Sequence, residues 1–127
     1  MSLPLFIATL GITLLGVTDG DTIKARLENV VSPINKVSIR LNGIDTPEIH
    51  GKCDNEKAMA QEAKKFLNDK LQQSSNIELK NIKWDKYGGR ILADLLVDNV
   101  NIAELMIKSK LAVGYNGEKK TVNWCNQ

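Results

Sequence analysis

The chain has 127 residues, of which 43% are apolar and 25% charged, and its formal net charge is +2. This length suits a single domain with one hydrophobic core, which we expect to cover residues 1–127. The composition is that of a folded globule and lacks the large excess of basic residues that marks a general polycation. The apolar residues 1–16 have no preceding Lys or Arg and are too few to span a bilayer, so they predict a strand and no membrane association.

Apolar periodicity predicts five strands and two helices. The strands are expected over Phe6–Val17, Thr22–Leu27, Val37–Ile44, Ile77–Trp84 and Arg90–Val97. The helices are expected over Glu56–Leu71, capped by Asp54 or Asn55, and over Val100–Lys108. This order suits an α+β, mainly β, fold, namely a five-stranded antiparallel oligonucleotide-binding (OB-fold) barrel with two to three helices. A plain antiparallel α+β sandwich is the alternative.

The sequence contains two cysteines, Cys53 and Cys125, and one histidine, His50. No CxxC pair occurs, so a zinc site is not expected. The spacing of the cysteines leaves two alternatives open, which are one long-range disulfide in an oxidising compartment or two separate thiols. His50 stands alone in a loop and is expected to be solvated.

Charged residues gather at the ends of three predicted strands. Asp21 lies in an Asp-Gly turn, while Asp45 and Glu48 follow the third strand. Two Asp carboxylates and a backbone carbonyl form a hard oxygen ligand set for Ca²⁺ or Mg²⁺, and a nearby carboxylate such as Glu48 can orient or deprotonate a water. Arg40 and Arg90 add guanidinium groups that suit phosphate oxygens. Each residue alone is more often structural, but together they predict attack of water on a phosphodiester.

Three segments, in this order, resemble the staphylococcal nuclease (thermonuclease) family. They read Val-x-Asp-Gly-Asp-Thr at 17–22, Arg-Leu-x-Gly-Ile-Asp-Thr-Pro-Glu at 40–48, and Asp-Lys-Tyr-Gly-Gly-Arg-Ile-Leu-Ala at 85–93. The resemblance spans residues 17–115. It implies an OB-fold barrel that cleaves DNA and RNA in a Ca²⁺-dependent reaction, with products that end in 3′-phosphate. The third segment has a second glycine where the family usually has one, and Arg90 is assigned because it keeps the spacing into the following strand.

The resemblance also implies a role for each matched residue. Arg40 and Arg90 would bind the phosphate, and Glu48 would act on the attacking water. The residues implied as Ca²⁺ ligands, which would also accept Mg²⁺ or Mn²⁺, are Asp21, Asp45 and, through its carbonyl, Thr46. The residues implied as substrate contacts are Lys86, Tyr87 and, across a one-residue gap, Tyr115.

Cys53 and the terminal Trp124-Cys125 pair resemble a secreted Gram-negative branch of the family. This likeness implies a Cys53–Cys125 disulfide and a periplasmic or secreted protein whose leader is absent from the sequence. The expected partners are single-stranded or locally melted DNA and RNA, and the expected state is a monomer. Trp84 and Trp124 are interpreted as packing residues in preference to base-stacking platforms.

Two other functions remain open. The same barrel could serve as a catalytically silent module that binds nucleic acid or protein, although all six matched catalytic and metal positions are retained. It could also be a structural domain in which the carboxylates bind calcium for stability alone.

Overall fold

The structure is a computed structural model that describes residues 9–28, 36–85, 90–117, 120 and 122–126. Within these ranges the strands are β1 (Thr9–Asp19), β2 (Thr22–Leu27), β3 (Lys36–Leu41), β4 (Ile44–Asp45), β5 (Ile77–Trp84), β6 (Ile91–Val97), β7 (Val100–Asn101) and β8 (Val113–Gly114). The helices are α1 (Asp54–Gln72) and α2 (Ile102–Lys108), and a short 3-10 helix covers Trp124–Asn126. The start of the first predicted strand, residues 6–8, lies outside the described residues.

β1, β2, β3, β6 and β5 close into a five-stranded barrel. Antiparallel pairs join β1 to β2, β2 to β3, β5 to β6 and β1 to β5, and a parallel pair between β3 and β6 completes the ring. A parallel pair requires a long crossover connection, which α1 and β5 provide here. The predicted OB-fold barrel is therefore confirmed and the sandwich is excluded. The expectation that every strand pair is antiparallel was wrong.

Apolar side chains of the barrel strands form one core with a face of α1. Buried and half-buried residues alternate along β6, as expected for a strand with one face toward the core. The buried apolar residues of α1 recur at helical spacing and are Ala60, Ala63, Leu67 and Leu71. Met59 and Phe66, which were predicted in this stripe, are only partly buried. The core therefore fixes α1 against the barrel, and the N-terminus of α1 becomes a fixed point for the site described below.

The third predicted strand ends earlier than expected. β3 stops at Leu41, and a turn at Asn42 and Gly43 leads into β4, which pairs with β8. Gly43 has a φ of +85°, a conformation that glycine adopts readily and most other residues do not. The turn reverses the chain, so that Asp45 lies in a second, two-stranded sheet.

The β1–β2 hairpin packs closely against α1. A Cβ atom added to Gly20 would lie 2.8 Å from the Cβ of Ala63, so the turn can approach the helix only because this residue has no side chain. The Leu41 amide donates a hydrogen bond of 2.8 Å to the Asp21 carbonyl. These contacts hold the hairpin turn beside the end of β3.

Cys53 and Cys125 form a disulfide, with their Cα atoms 6.0 Å apart, which confirms the pairing implied by the resemblance. Cys53 is also the N-cap of α1, since its Sγ accepts a 3.4 Å hydrogen bond from the Glu56 amide. The prediction that Asp54 or Asn55 caps the helix was wrong. Both residues lie inside the first turn, where an acidic group such as Asp54 interacts favourably with the helix dipole. Neither helix of the described chain is long and apolar enough to cross a membrane.

Candidate active site

Arg40 lies at the centre of the charged cluster and is only 7% exposed. Its Nη1 donates to the carbonyls of Leu41 and Ile44, at 3.2 and 2.9 Å. Its Nη2 donates to Asp21 Oδ2 at 3.4 Å and lies 3.8 Å from Asp45 Oδ1. The β3–β4 turn thus holds the guanidinium between two carboxylates. These carboxylates come from residues 24 positions apart in the sequence and meet because the hairpin turn lies beside the end of β3.

Asp21 is buried and its two carboxylate oxygens have different partners. Oδ1 accepts a 3.0 Å hydrogen bond from Thr22 Oγ1, and Oδ2 accepts a 3.3 Å hydrogen bond from the Thr46 amide in addition to the one from Arg40. Asp19 adds a third carboxylate to the hairpin, and its Oδ1 accepts a 3.2 Å hydrogen bond from the Asp21 amide. Burial, followed by repulsion from Asp21, raises the pKa of Asp19 to about 7.

Asp45 is buried in β4. Its Oδ1 lies 3.0 Å from Lys120 Nζ and 3.8 Å from Arg40 Nη2. Apart from these cations, no described group offers a hydrogen bond to Asp45 Oδ1, and none offers one to Thr46 Oγ1. A buried carboxylate requires positive charge beside it, which Lys120 and Arg40 supply to Asp45 in this structure.

The donors of this cluster fit a hard divalent cation. Asp21 and Asp45 supply carboxylates, and the Thr46 backbone follows Asp45 directly. Among the described residues, no three Asp, Glu, His or Cys side chains form a protein-only metal site. A cation held by two carboxylates and a carbonyl would therefore keep positions for water or for a substrate oxygen.

Glu48 and Lys120 lie at the solvent side of the cluster. The Glu48 side chain is 64% exposed, and its Oε1 lies 3.6 Å from Lys120 Nζ. Burial lowers the pKa of Lys120, but contact with Asp45 and attraction by Glu48 and Asp21 outweigh this effect and raise the pKa above its ordinary value. Lys120 is therefore charged at neutral pH. Sequence reasoning missed this residue, because the Lys119-Lys120 pair stands in a segment without periodicity or a recognised motif.

Glu56 is a second residue that sequence reasoning missed. It is buried in the first turn of α1, where its carboxylate accepts hydrogen bonds from the amides of Glu48, at 3.1 Å, and Lys52, at 3.0 Å. A glutamate three residues after an N-cap commonly reaches back to preceding amides, so this signal was available once Cys53 was identified as the cap. Glu56 therefore fixes the backbone of the loop that carries Glu48.

Arg90 immediately precedes β6 and is half-buried. Its Nε lies 3.2 Å from Asp85 Oδ2. Arg90 and Arg40 line one cavity of about 720 Å³ together with Tyr115. The guanidinium carbon of Arg40 lies 5.3 Å from the centroid of the Tyr115 ring, a cation–π distance. The structure thus brings these three residues of the expected site together. The other two expected substrate contacts, Lys86 and Tyr87, lie outside the described residues.

The two tryptophans differ in environment. Trp124 is 7% exposed, as expected for a packing residue, whereas Trp84 is 76% exposed and lines the same cavity as the arginines. The interpretation of Trp84 as a packing residue was therefore wrong. His50 is exposed, in agreement with its expected solvation.

The barrel and its charged edge define a small OB-fold domain whose carboxylates and arginines suit phosphate chemistry. The family model for Staphylococcal nuclease homologue matches residues 38–125, and the chain belongs to this family. Membership of this family suggests nuclease activity in general terms. No curated protein matches the chain. The disulfide is consistent with an extracellular or periplasmic protein.

Proposed function

We propose that the protein is a metal-dependent nuclease that hydrolyses phosphodiester bonds in single-stranded or locally melted DNA and RNA. The observation that carries this proposal is the position of Arg40 between Asp21 and Asp45, at the wall of the cavity shared with Arg90. Glu48 is connected to this cluster through Lys120, which contacts both Asp45 and Glu48. A cavity lined by arginines, a carboxylate pair suited to a cation and an exposed carboxylate together suit metal-assisted hydrolysis of a phosphodiester.

The proposed metal is Ca²⁺, held by the carboxylates of Asp21 and Asp45 and the carbonyl of Thr46. Oxygen donors alone favour a hard cation, and Mg²⁺ or Mn²⁺ would also suit this set. When bound, the cation would supply positive charge to the phosphate oxygens and lower the pKa of water. The site residues present fit such a group, because Asp45 Oδ1 is buried and its partners among the described residues are the cationic side chains of Lys120 and Arg40.

The protein side chains would perform the rest of the reaction. Glu48 would accept a proton from water while the water oxygen forms a bond to phosphorus, and the bond from phosphorus to the 5′ oxygen would break. The departing 5′ oxygen would take a proton from solvent, which leaves a 3′-phosphate on the other product. Arg40 and Arg90 would donate hydrogen bonds to the phosphate oxygens, whose negative charge increases in the transition state. Lys86, Tyr87 and Tyr115 are proposed to bind the substrate next to the reacting phosphate.

The test is digestion of single-stranded DNA and RNA with Ca²⁺, with Mg²⁺ or Mn²⁺, and with a chelator. Glu48→Gln should lower kcat by about 10²–10⁴-fold while substrate affinity is nearly unchanged. Glu62→Gln is a matched control, because Glu62 is an exposed carboxylate on α1. Product ends should become labelled or ligated only after a phosphatase removes the 3′-phosphate.

Three outcomes would contradict the proposal. Equal cleavage in chelator would remove the metal from the mechanism, and equal kcat of Glu48→Gln would remove Glu48 from its role. Binding of nucleic acid without cleavage under any divalent cation would favour the silent binding module. We also propose that the protein is a monomer in a periplasmic or secreted location, where the Cys53–Cys125 disulfide would persist.

A further inference from the structure

Trp84 ends β5 and pairs with Ile91 of β6, yet its side chain is 76% exposed. The large surface of a tryptophan normally favours burial, and the chain buries its other tryptophan, Trp124. All of the last five residues of β5 are exposed, so this end of the strand extends away from the core. The exposed indole ring of Trp84 is therefore a feature that packing does not explain.

Trp84 lies in a part of β5 that is still paired with β6, so its exposure does not result from fraying at the end of the strand. The pairing of β5 with β6 shifts by one residue between Lys80 and Lys83, and Asn81 adopts a φ of +53° in this bulge. Asn81 Nδ2 donates a 2.6 Å hydrogen bond to Asp94 Oδ2 of β6. Bulges of this kind redirect the side chains that follow them, and pairing resumes through Trp84.

Among the described residues, cationic side chains outnumber acidic ones in the wall of the cavity beside Trp84. The cavity has a volume of about 720 Å³, and Tyr115 is a second aromatic residue in its wall. The cationic residues that line it are Arg40, Lys83, Arg90 and Lys120, and the acidic residue that the structure describes there is Asp85. Asp85 is itself paired with Arg90 at 3.2 Å. Two of these cations also contact carboxylates of the neighbouring cluster, Arg40 with Asp21 and Lys120 with Asp45. Exposed aromatic rings next to a groove of cations are the combination that holds single-stranded nucleic acid, because bases stack on the rings and phosphates pair with the cations.

We propose that Trp84 is a base-stacking platform for single-stranded nucleic acid, which holds a nucleotide next to the one whose phosphate contacts Arg40 and Arg90. The inference rests on the proposed function and adds a substrate-binding residue to it. Stacking on an indole ring does not distinguish strongly between bases, so this contact favours unpaired strands without selecting a sequence. A base-paired strand cannot offer the face of its base to the ring, so Trp84 would also favour melted over duplex substrate.

The experiment measures binding in the absence of cleavage, with a fluorescently labelled oligothymidylate, a chelator and about 50 mM salt, where phosphate contacts are strong. Trp84→Ala should weaken binding by about 5- to 100-fold, and Trp84→Phe should keep most of the affinity. Ile82→Ala is the matched control, since Ile82 is also exposed on β5 and does not line the cavity, and it should bind like the wild type. An oligonucleotide without bases should bind equally to the wild type and Trp84→Ala.

Intrinsic fluorescence gives a second readout, because the chain has two tryptophans and Trp124 is buried. The oligonucleotide should quench the wild-type emission, and Trp84→Phe should abolish this quenching. Equal affinity of the wild type and Trp84→Ala would overturn the inference, while cleavage by the wild type with Ca²⁺ would leave the proposed function standing. Absence of both binding and cleavage would overturn both. A self-associated species that disappears in Trp84→Ala would instead identify Trp84 as a contact between copies of the chain.

Discussion

Replacement of Lys120 by methionine should increase the affinity of the protein for Ca²⁺. The Lys120 ammonium lies 3.0 Å from Asp45 Oδ1 and 3.6 Å from Glu48 Oε1, so it neutralises a carboxylate that we propose as a metal ligand. A bound cation must either displace this ammonium or tolerate its repulsion. Lys120→Met keeps most of the aliphatic side chain and removes the charge.

The distance between Lys120 Nζ and Asp45 Oδ1 determines how large the gain in Ca²⁺ affinity should be. At 3.0 Å and an effective dielectric constant of about 20, two unit charges attract by about 5 kcal/mol. The Lys120 side chain is 46% exposed, so solvent screening and the cost of fixing a flexible side chain remove most of this energy. About 1–2 kcal/mol should remain, since Asp45 is buried, and this corresponds to a gain in Ca²⁺ affinity of roughly 5- to 30-fold.

Calorimetric titration of the metal-free protein with Ca²⁺ measures this affinity directly and does not depend on activity. Lys65→Met is the matched control, because Lys65 forms a 2.8 Å ion pair with Asp69 on the exposed face of α1. Metal-free Lys120→Met should also be less stable than the wild type, and Ca²⁺ should raise its Tm by more than it raises that of the wild type. Ca²⁺ affinity equal to or lower than that of the wild type would refute the reasoning.

Two further predictions concern the elements that support the site. Glu56→Gln should lower kcat by about tenfold, because a misplaced reacting group reduces the rate, and should leave Ca²⁺ affinity unchanged. Glu104→Gln, at the equivalent position of α2, is the control and should keep wild-type kinetics. An unaltered kcat for Glu56→Gln would show that Glu48 needs no such support. Cys53→Ser with Cys125→Ser should lower the free energy of unfolding by about 4 kcal/mol, because the disulfide closes a loop with a sequence separation of 72. The Tm should then fall by roughly 15 °C in calorimetry, and a Tm within a few degrees of the wild type would contradict the chain-entropy argument.

The sequence predicted the barrel and the central cluster because both depend on local patterns. Apolar alternation identified the barrel strands, and Asp21, Arg40 and Asp45 stand in contiguous motifs at strand ends. Alternation carries no information on strand direction, so the parallel pairing of β3 with β6 was not foreseen. The exposure of Trp84 was also missed, because it follows a bulge whose one-residue shift in register the pattern does not reveal.

The two site residues that the sequence did not reveal, Glu56 and Lys120, are both connected to one structural unit, the N-terminus of α1. Cys53 caps the helix and binds Cys125, Glu56 holds the Glu48 amide, and the Asn55 side chain donates a 3.1 Å hydrogen bond to the carbonyl of Trp124. The C-terminal segment that carries Lys120 is therefore attached at the same point as the loop that carries Glu48.

The barrel supplies Arg40 and, in the β1–β2 turn, Asp21, while Asp45 follows in β4, and these three residues meet without the disulfide. Glu48 and Lys120 instead depend on the helix terminus to which the disulfide is joined. Reduction should therefore disturb the solvent side of the cluster before it disturbs the barrel, because the barrel core has its own apolar contacts. The complete site would therefore be favoured in the oxidising compartment that we propose for the protein, whereas the barrel core does not depend on the disulfide.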